Sequence, residues 1–203
     1  MGTTLYLIRH GSIDYKDRVP GWLQGISLSD YGRVQARWIA DYLRNSDIVA
    51  IYSSPLERAV QTAAPLAAQC QLSVNIIPDL TEIDFGEWQG RSFDELESHV
   101  QWKQFHSFRN GTLIPDGELM VEVQRRMVCC VEKICKEHAG QAVALVSHND
   151  PIKSLLAFYA GVSLDLFHRI AVDTGSVSEL SIENNQYLIK KVNITSGIPL
   201  SRV

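Results

Sequence analysis

The chain has 203 residues, of which 45% are hydrophobic and 21% charged, with a formal net charge of -4 at pH 7. This length suffices for one substantial core, and this composition excludes a disordered or low-complexity protein. The slight negative charge offers no general attraction for nucleic acid or an anionic membrane surface, so an anion site must be local.

The first predicted element is a strand, "TLYLI" at 4–8, which runs directly into Arg9, His10 and Gly11. A polar loop follows, then a helix from about Ser29 to Arg44, with Ala36, Ile39, Ala40 and Leu43 at i, i+3, i+4, i+7 spacing. The strand "IVAIY" at 48–52 precedes a second helix that begins near Pro55 and sets Leu56, Ala59, Val60, Ala63 and Ala67 on one face. After the short strand "VNII" at 74–77 the pattern weakens between Phe93 and Gly117, which reads as a short helix plus loop or as a lid. The longest helix is expected from Gly117 to about His138. A strand "AVALVS" at 142–147 then leads into a helix that Asn149 or Asp150 can cap and Gly161 can end. The tail alternates apolar and polar residues around "ENNQ", a β-hairpin at the sheet edge.

Strands alternating with helices predict an α/β fold. The expected form is a three-layer α/β/α sandwich with a mostly parallel central sheet and one antiparallel edge hairpin at the C-terminus. Residues 1–203 read as a single domain with a helical excursion at about 93–116. The apolar runs are too short to span a bilayer and the N-terminus lacks a signal-peptide core, so a cytoplasmic protein is expected. Cys70, Cys129, Cys130 and Cys135 have neither zinc-ligand spacing nor a disulfide framework and read as free thiols.

Ligands of an open α/β sheet sit beyond the carboxyl ends of its strands, so the polar residues there are the ones to collect. They are Arg9 and His10, then Arg58 of "SSPLERAVQTA", then Glu82, Asp84 and Glu87 of "LTEIDFGEWQG", then Ser147, His148, Asn149 and Asp150. Singly, each has an ordinary explanation: His10 as a satisfied strand-end histidine, Glu82 as a solvated loop acid, Arg58 as a surface partner for Glu57 or Glu179. Together, two arginines, two histidines and an acid make a dianion site equipped with a nucleophile and a proton donor.

The motifs "LIRHG", "SSPLERAVQTA", "EIDFGEWQG", "PDGE" and "VSHNDPIK", in this order from about Leu5 to Ala160, resemble the histidine phosphatase superfamily, also called phosphoglycerate-mutase-like. The resemblance implies that His10 is the nucleophile that becomes phosphohistidine, with Arg9 and Arg58 gripping the phosphoryl oxygens. It implies that His148 stabilises the transferring group and that Glu82 protonates the leaving oxygen. It places Lys16 where many members carry an asparagine, and Gln24 in a loop that often contacts substrate; both are substrate-binding candidates. Asn149, in "SHND" where "SHGG" is common, is another, while Glu118 of "PDGE" is expected to be structural.

The function so implied is a metal-independent phosphomonoesterase acting on a small phosphorylated metabolite, without a cofactor, as a monomer or a homodimer. A phosphoglycerate-mutase-type phosphotransferase is the alternative enzyme, against which Ser98 to Leu113 supplies only Lys103 and Arg109 as basic residues. A third reading is a non-catalytic phosphate-binding module, which predicts a missing catalytic residue. The aromatic stretch "WKQFHSFRNG" either folds over the substrate or forms an accessory core.

Overall fold

Alternating burial along the first strand sets the frame of the molecule, seen in a computed structural model that describes residues 2–15, 17–183 and 186–197. In β1 (Thr3–Arg9), Leu5 and Leu7 enter one apolar cluster while Ile8, with Tyr6 packed alongside, enters another on the opposite face. A strand buried on both faces belongs in the middle of a covered sheet. The sheet has six strands in the order β3-β2-β4-β1-β5-β6, the others being β2 (Ile48–Ser53), β3 (Val74–Ile76), β4 (Ala142–Ser147), β5 (Val177–Glu183) and β6 (Gln186–Ile194). The pairs β1–β4, β2–β4 and β2–β3 are parallel, whereas β1–β5 and β5–β6 are antiparallel, which makes the expected C-terminal edge hairpin. Residues 184 and 185, at the centre of "ENNQ", lie outside the described residues.

Helices α1 (Asp30–Tyr42) and α2 (Glu57–Cys70) cover one face through Ile39, Ala40, Ala59, Ala63 and Leu66. The other face is covered by α5 (Met120–Glu137) and α6 (Asn149–Ala160), through Met127, Val131, Ile134, Ile152 and Leu155. Between β3 and α5 lie two short helices, α3 (Phe93–Glu97) and α4 (Val100–Ser107). These pack on a third cluster in which Trp102 and Phe105 meet Trp88, Ile83, Met120 and Phe167. All four cysteines are free thiols, and no helix among the described residues is long and apolar enough to cross a membrane.

One sequence expectation needs correcting. The N-cap of α6 is His148, and no side chain caps that helix. Asn149 and Asp150 are already inside its first turn, and their polar groups turn to each other and to two arginines. Gly161, in the left-handed conformation at φ 66°, does end it.

The N-terminus of α1 lies hard against the loop that follows β1. Ser29 caps the helix by accepting from the Gly32 amide, and its own amide donates to the Ser12 carbonyl at 2.9 Å. A Cβ on Gly32 would stand 2.1 Å from that same carbonyl oxygen. We therefore expect Gly32→Ala to destabilise the protein by about 1–3 kcal/mol through overpacking. A thermal melt reads this as a fall in Tm of about 2–4 °C for each kcal/mol in a chain of this size. An unchanged Tm would mean that the loop does not need this close approach.

Candidate active site

The parallel register of β1 and β4 pairs Arg9 with Ser147, so the next residues, His10 and His148, emerge side by side. The His10 amide donates to the Ser147 carbonyl at 3.0 Å, and the two imidazole centroids are 5.0 Å apart, inclined at 58°. Both rings are buried. The Ser147 hydroxyl donates to the Leu80 carbonyl, tying the end of β4 to the turn that leads into Glu82.

His10 Nδ1 lies 2.7 Å from the Gly11 carbonyl oxygen. A carbonyl can only accept, so Nδ1 carries the proton and Nε2 keeps its lone pair. Burial first, then the charges of Arg9 and Arg58, push the His10 pKa well below the ordinary histidine value. The ring is thus a neutral imidazole with a defined free nitrogen. Thr62 steadies the backbone beside it, accepting from the Gly11 amide at 3.0 Å while donating to the Arg58 carbonyl at 2.6 Å.

Arg58, in the first turn of α2, is 1% exposed, which rules out the surface role that its helical position allowed. Its Nη2 donates to the Gly21 carbonyl at 2.7 Å, and its Nε has no partner. Arg9 donates from Nη1 to the Val172 carbonyl at 2.7 Å and, at 3.3 Å, to Asn149 Oδ1; its Nε is also unpartnered. His148 Nε2 is 2.8 Å from the Ser54 hydroxyl, while its Nδ1 is buried without a partner. Burial first, then Arg58, His10 and Arg9, depress the His148 pKa well below its ordinary value. Of the five buried, unpartnered side-chain N or O atoms among the described residues, three therefore belong to Arg9, Arg58 and His148. Buried polar nitrogens left unmatched are costly, and three of them on groups that surround His10 suit an oxygen-rich anion.

Glu82 is 7% exposed, and its pKa is raised to about 7, by burial first and then by the negative charge of Asp150. Its position is held through its backbone. The Glu82 carbonyl accepts from Arg126 Nη2 at 2.9 Å and from the Trp22 indole, and Arg126 in turn grips both carboxylate oxygens of Glu118 at 3.0 and 3.1 Å. Glu118 also accepts from the Asp84 amide at 2.9 Å, and the Glu87 amide donates to the Pro115 carbonyl, so "DFGEW" and "PDGE" are knitted into one support under Glu82. Among the described residues no group of three or more His, Cys, Asp or Glu side chains is placed to hold a metal ion.

Arg9, His10, Glu82 and Asn149 line a cavity of about 330 Å³; Arg58 and His148 are buried beside it, with His148 against His10. Gln24 does not line the cavity: it is exposed, and its amide turns back to the Trp22 carbonyl at 3.2 Å. Lys16 lies outside the described residues. Several site-building residues had no assignment from the sequence, namely Ser54, Thr62, Trp22 and Arg126, and Asp150 was assigned only as a strand-end polar residue and a possible helix cap. Ser54 and Thr62 lie within "SSPLERAVQTA", where the motif itself was the signal. Arg126 had no such motif: it is half-buried on α5, eight positions beyond Glu118, which precedes that helix.

Sequence and structure comparisons agree on the ancestry of this arrangement. Residues 5–195 match the family model of the histidine phosphatase superfamily (branch 1). Phosphoserine phosphatase 1 of Hydrogenobacter thermophilus is 32% identical over 200 residues, which cover 94% of this chain and 92% of that protein. A probable phosphoglycerate mutase, GpmB of Yersinia pestis, is 32% identical over 189 residues, 91% of this chain and 87% of its own. The crystal structure of a phosphoserine phosphatase mutant from Entamoeba histolytica in complex with phosphoserine superposes with a TM-score of 0.86 at 25% identity, covering 96% of this chain and 98% of that one. The chain belongs to the histidine phosphatase superfamily.

Proposed function

We propose that the protein is a metal-independent phosphomonoesterase that works through a phosphohistidine on His10. The family and the phosphatase names of its relatives support phosphatase activity. The observation that carries the mechanism is the set of three unpartnered buried nitrogens, on Arg9, Arg58 and His148, beside a neutral imidazole whose Nδ1 is tied to the Gly11 carbonyl.

In the first step the Nε2 lone pair attacks phosphorus, the P–O ester bond breaks in line, and the protonated Glu82 gives its proton to the departing alkoxide. The negative charge of the transferring group is met by Arg9, Arg58 and His148, an electrostatic role that fixed donors fill without reorganisation. In the second step a water attacks phosphorus and its proton passes to the Glu82 carboxylate. The N–P bond breaks, which restores neutral His10 and releases phosphate. Proton transfer in both directions asks for a group poised near neutrality, and a Glu82 pKa of about 7 meets that need.

The test is a panel of phosphomonoesters assayed with and without EDTA, with phosphate release and conversion of 3-phosphoglycerate followed in parallel. Phosphate release that survives chelation is expected. Isomerisation of 3-phosphoglycerate outrunning phosphate release would favour the mutase instead, and loss of turnover in EDTA would refute metal independence.

A further inference from the structure

We infer that the cavity in front of His10 is built for the ester of a neutral, ring-bearing alcohol, in preference to one that carries a carboxylate. This rests on the phosphomonoesterase reading and concerns the part of the substrate that departs.

Beyond Arg9, His10 and Glu82, five aromatic rings line the cavity, those of Tyr15, Phe85, Phe93 and Trp102 and the imidazole of His106. Phe93 and Trp102 lie 6.2 Å apart at 31°, closer to parallel than to edge-on; Trp102 is buried at 8% exposure and Phe93 is 43% exposed, so Phe93 is the open aromatic surface beside the cavity. A flat leaving group can stack there. The aromatic stretch thus does two things: Phe105 and Trp102 fill the accessory core, while Trp102 and His106 on the same helix line the cavity.

A carboxylate held in the same place would need a cation with charge to spare. Arg109 is buried, but its Nη1 is 2.9 Å from Asp150 Oδ2, its Nη2 donates to His106 Nδ1 at 3.1 Å, and its guanidinium carbon lies 4.0 Å from the Phe105 ring centroid. Its charge is already answered. Arg18 is exposed and screened by solvent, with Nη1 on the Gly90 carbonyl at 2.8 Å. Arg9 belongs to the phosphoryl group. Among the described lining residues no buried cation is left for a second anion.

His106 completes the pattern. Arginine only donates, so Nδ1 of His106 accepts from Arg109 and the proton sits on Nε2. Burial and Arg109 lower its pKa, and it offers a neutral N–H. Such a donor suits an uncharged acceptor, a ring oxygen or nitrogen, better than an anion.

The test compares esters whose leaving alcohols have similar basicity, so that chemistry does not mask recognition: 2-phenylethyl phosphate, L-phosphoserine and 3-phosphoglycerate. For the parent protein, kcat/KM for 2-phenylethyl phosphate is expected to exceed that for the two carboxylate esters by at least about tenfold. Phe93→Ala, at a half-exposed position, is expected to lower the first value roughly fivefold and leave the others in place. Equal or better turnover of phosphoserine or 3-phosphoglycerate would overturn the inference, as would a Phe93→Ala effect common to all three esters. Titrating each ester into His10→Ala separates this outcome from failure of the catalytic reading. If none of the three esters is turned over, tighter binding of 2-phenylethyl phosphate to that variant still supports the inference, and equal or tighter binding of either carboxylate ester refutes it.

Discussion

His10→Ala is expected to lose on the order of 10⁴-fold or more in kcat while keeping its fold. The loss should be this large because no neighbour can take over. His148, 5.0 Å away between ring centroids, has its Nε2 held by Ser54, and its Nδ1 is the nitrogen assigned to the phosphoryl oxygens. The fold should survive because the one side-chain hydrogen bond lost is that from Nδ1 to the Gly11 carbonyl, and the backbone bond to Ser147 remains. Circular dichroism and Tm close to those of the parent, with phosphate release near background, make up the expected result. Retention of full activity with the fold intact would remove His10 from the chemistry.

Glu82→Gln should produce a loss that depends on the leaving group. For alkyl esters, whose alkoxides need a proton, a fall of about 10²–10³-fold is expected; for p-nitrophenyl phosphate, whose phenolate leaves unaided, the first step should be almost unaffected. A uniform loss across both would show that Glu82 shapes the site without donating a proton. The pH dependence follows from the raised pKa. The acid form of Glu82 is present below about 7 and disappears above it, so kcat/KM for alkyl esters should fall on the alkaline side of about pH 7. On the acid side, the depressed pKa of His10 keeps the nucleophile neutral well below the usual histidine range. Burial is the larger cause of the Glu82 shift and Asp150 the second, so Asp150→Asn should move the alkaline limb to lower pH without abolishing the raised value.

The same residue connects activity with stability. Its folded pKa of about 7 lies above the ordinary 4.5, so between these values the native state holds a proton that the unfolded state releases. Stability therefore drops as pH rises through that window. Glu82→Gln, which can still accept from the Ile83 amide as Glu82 Oε1 does at 3.1 Å, should melt at a higher temperature than the parent at pH 8 and show little difference at pH 4.

How far the sequence carried this picture depended on the range of the interactions involved. Period-two and helical patterns are local, so β1, α1, α2, α5 and β4 were legible from apolar spacing, and the rule that ligands gather at strand ends collected Arg9, His10, Arg58, Glu82 and His148. The bridging groups were not legible, because their partners are distant in the chain: Arg126 reaches Glu82 across 44 positions, and Arg109 reaches Asp150 across 41. Asp150 looked like a helix cap because short polar residues at such a place usually are caps. Its carboxylate instead answers the buried guanidinium of Arg109, a demand visible only when the turn after α4 meets α6. The aromatic stretch within 93–116 was ambiguous for the same reason, since on α4 the neighbouring residues Phe105 and His106 go to the core and to the cavity, and Trp102 serves both.

The most direct test of a phosphohistidine mechanism is rapid quenching of the protein during turnover of a phosphorus-labelled ester, followed by peptide mapping. The account predicts label on the peptide containing Arg9 and His10, stable in alkali, lost in acid, and absent from His10→Ala. Turnover with no covalent label at any quench time, or label that persists in His10→Ala, would contradict it.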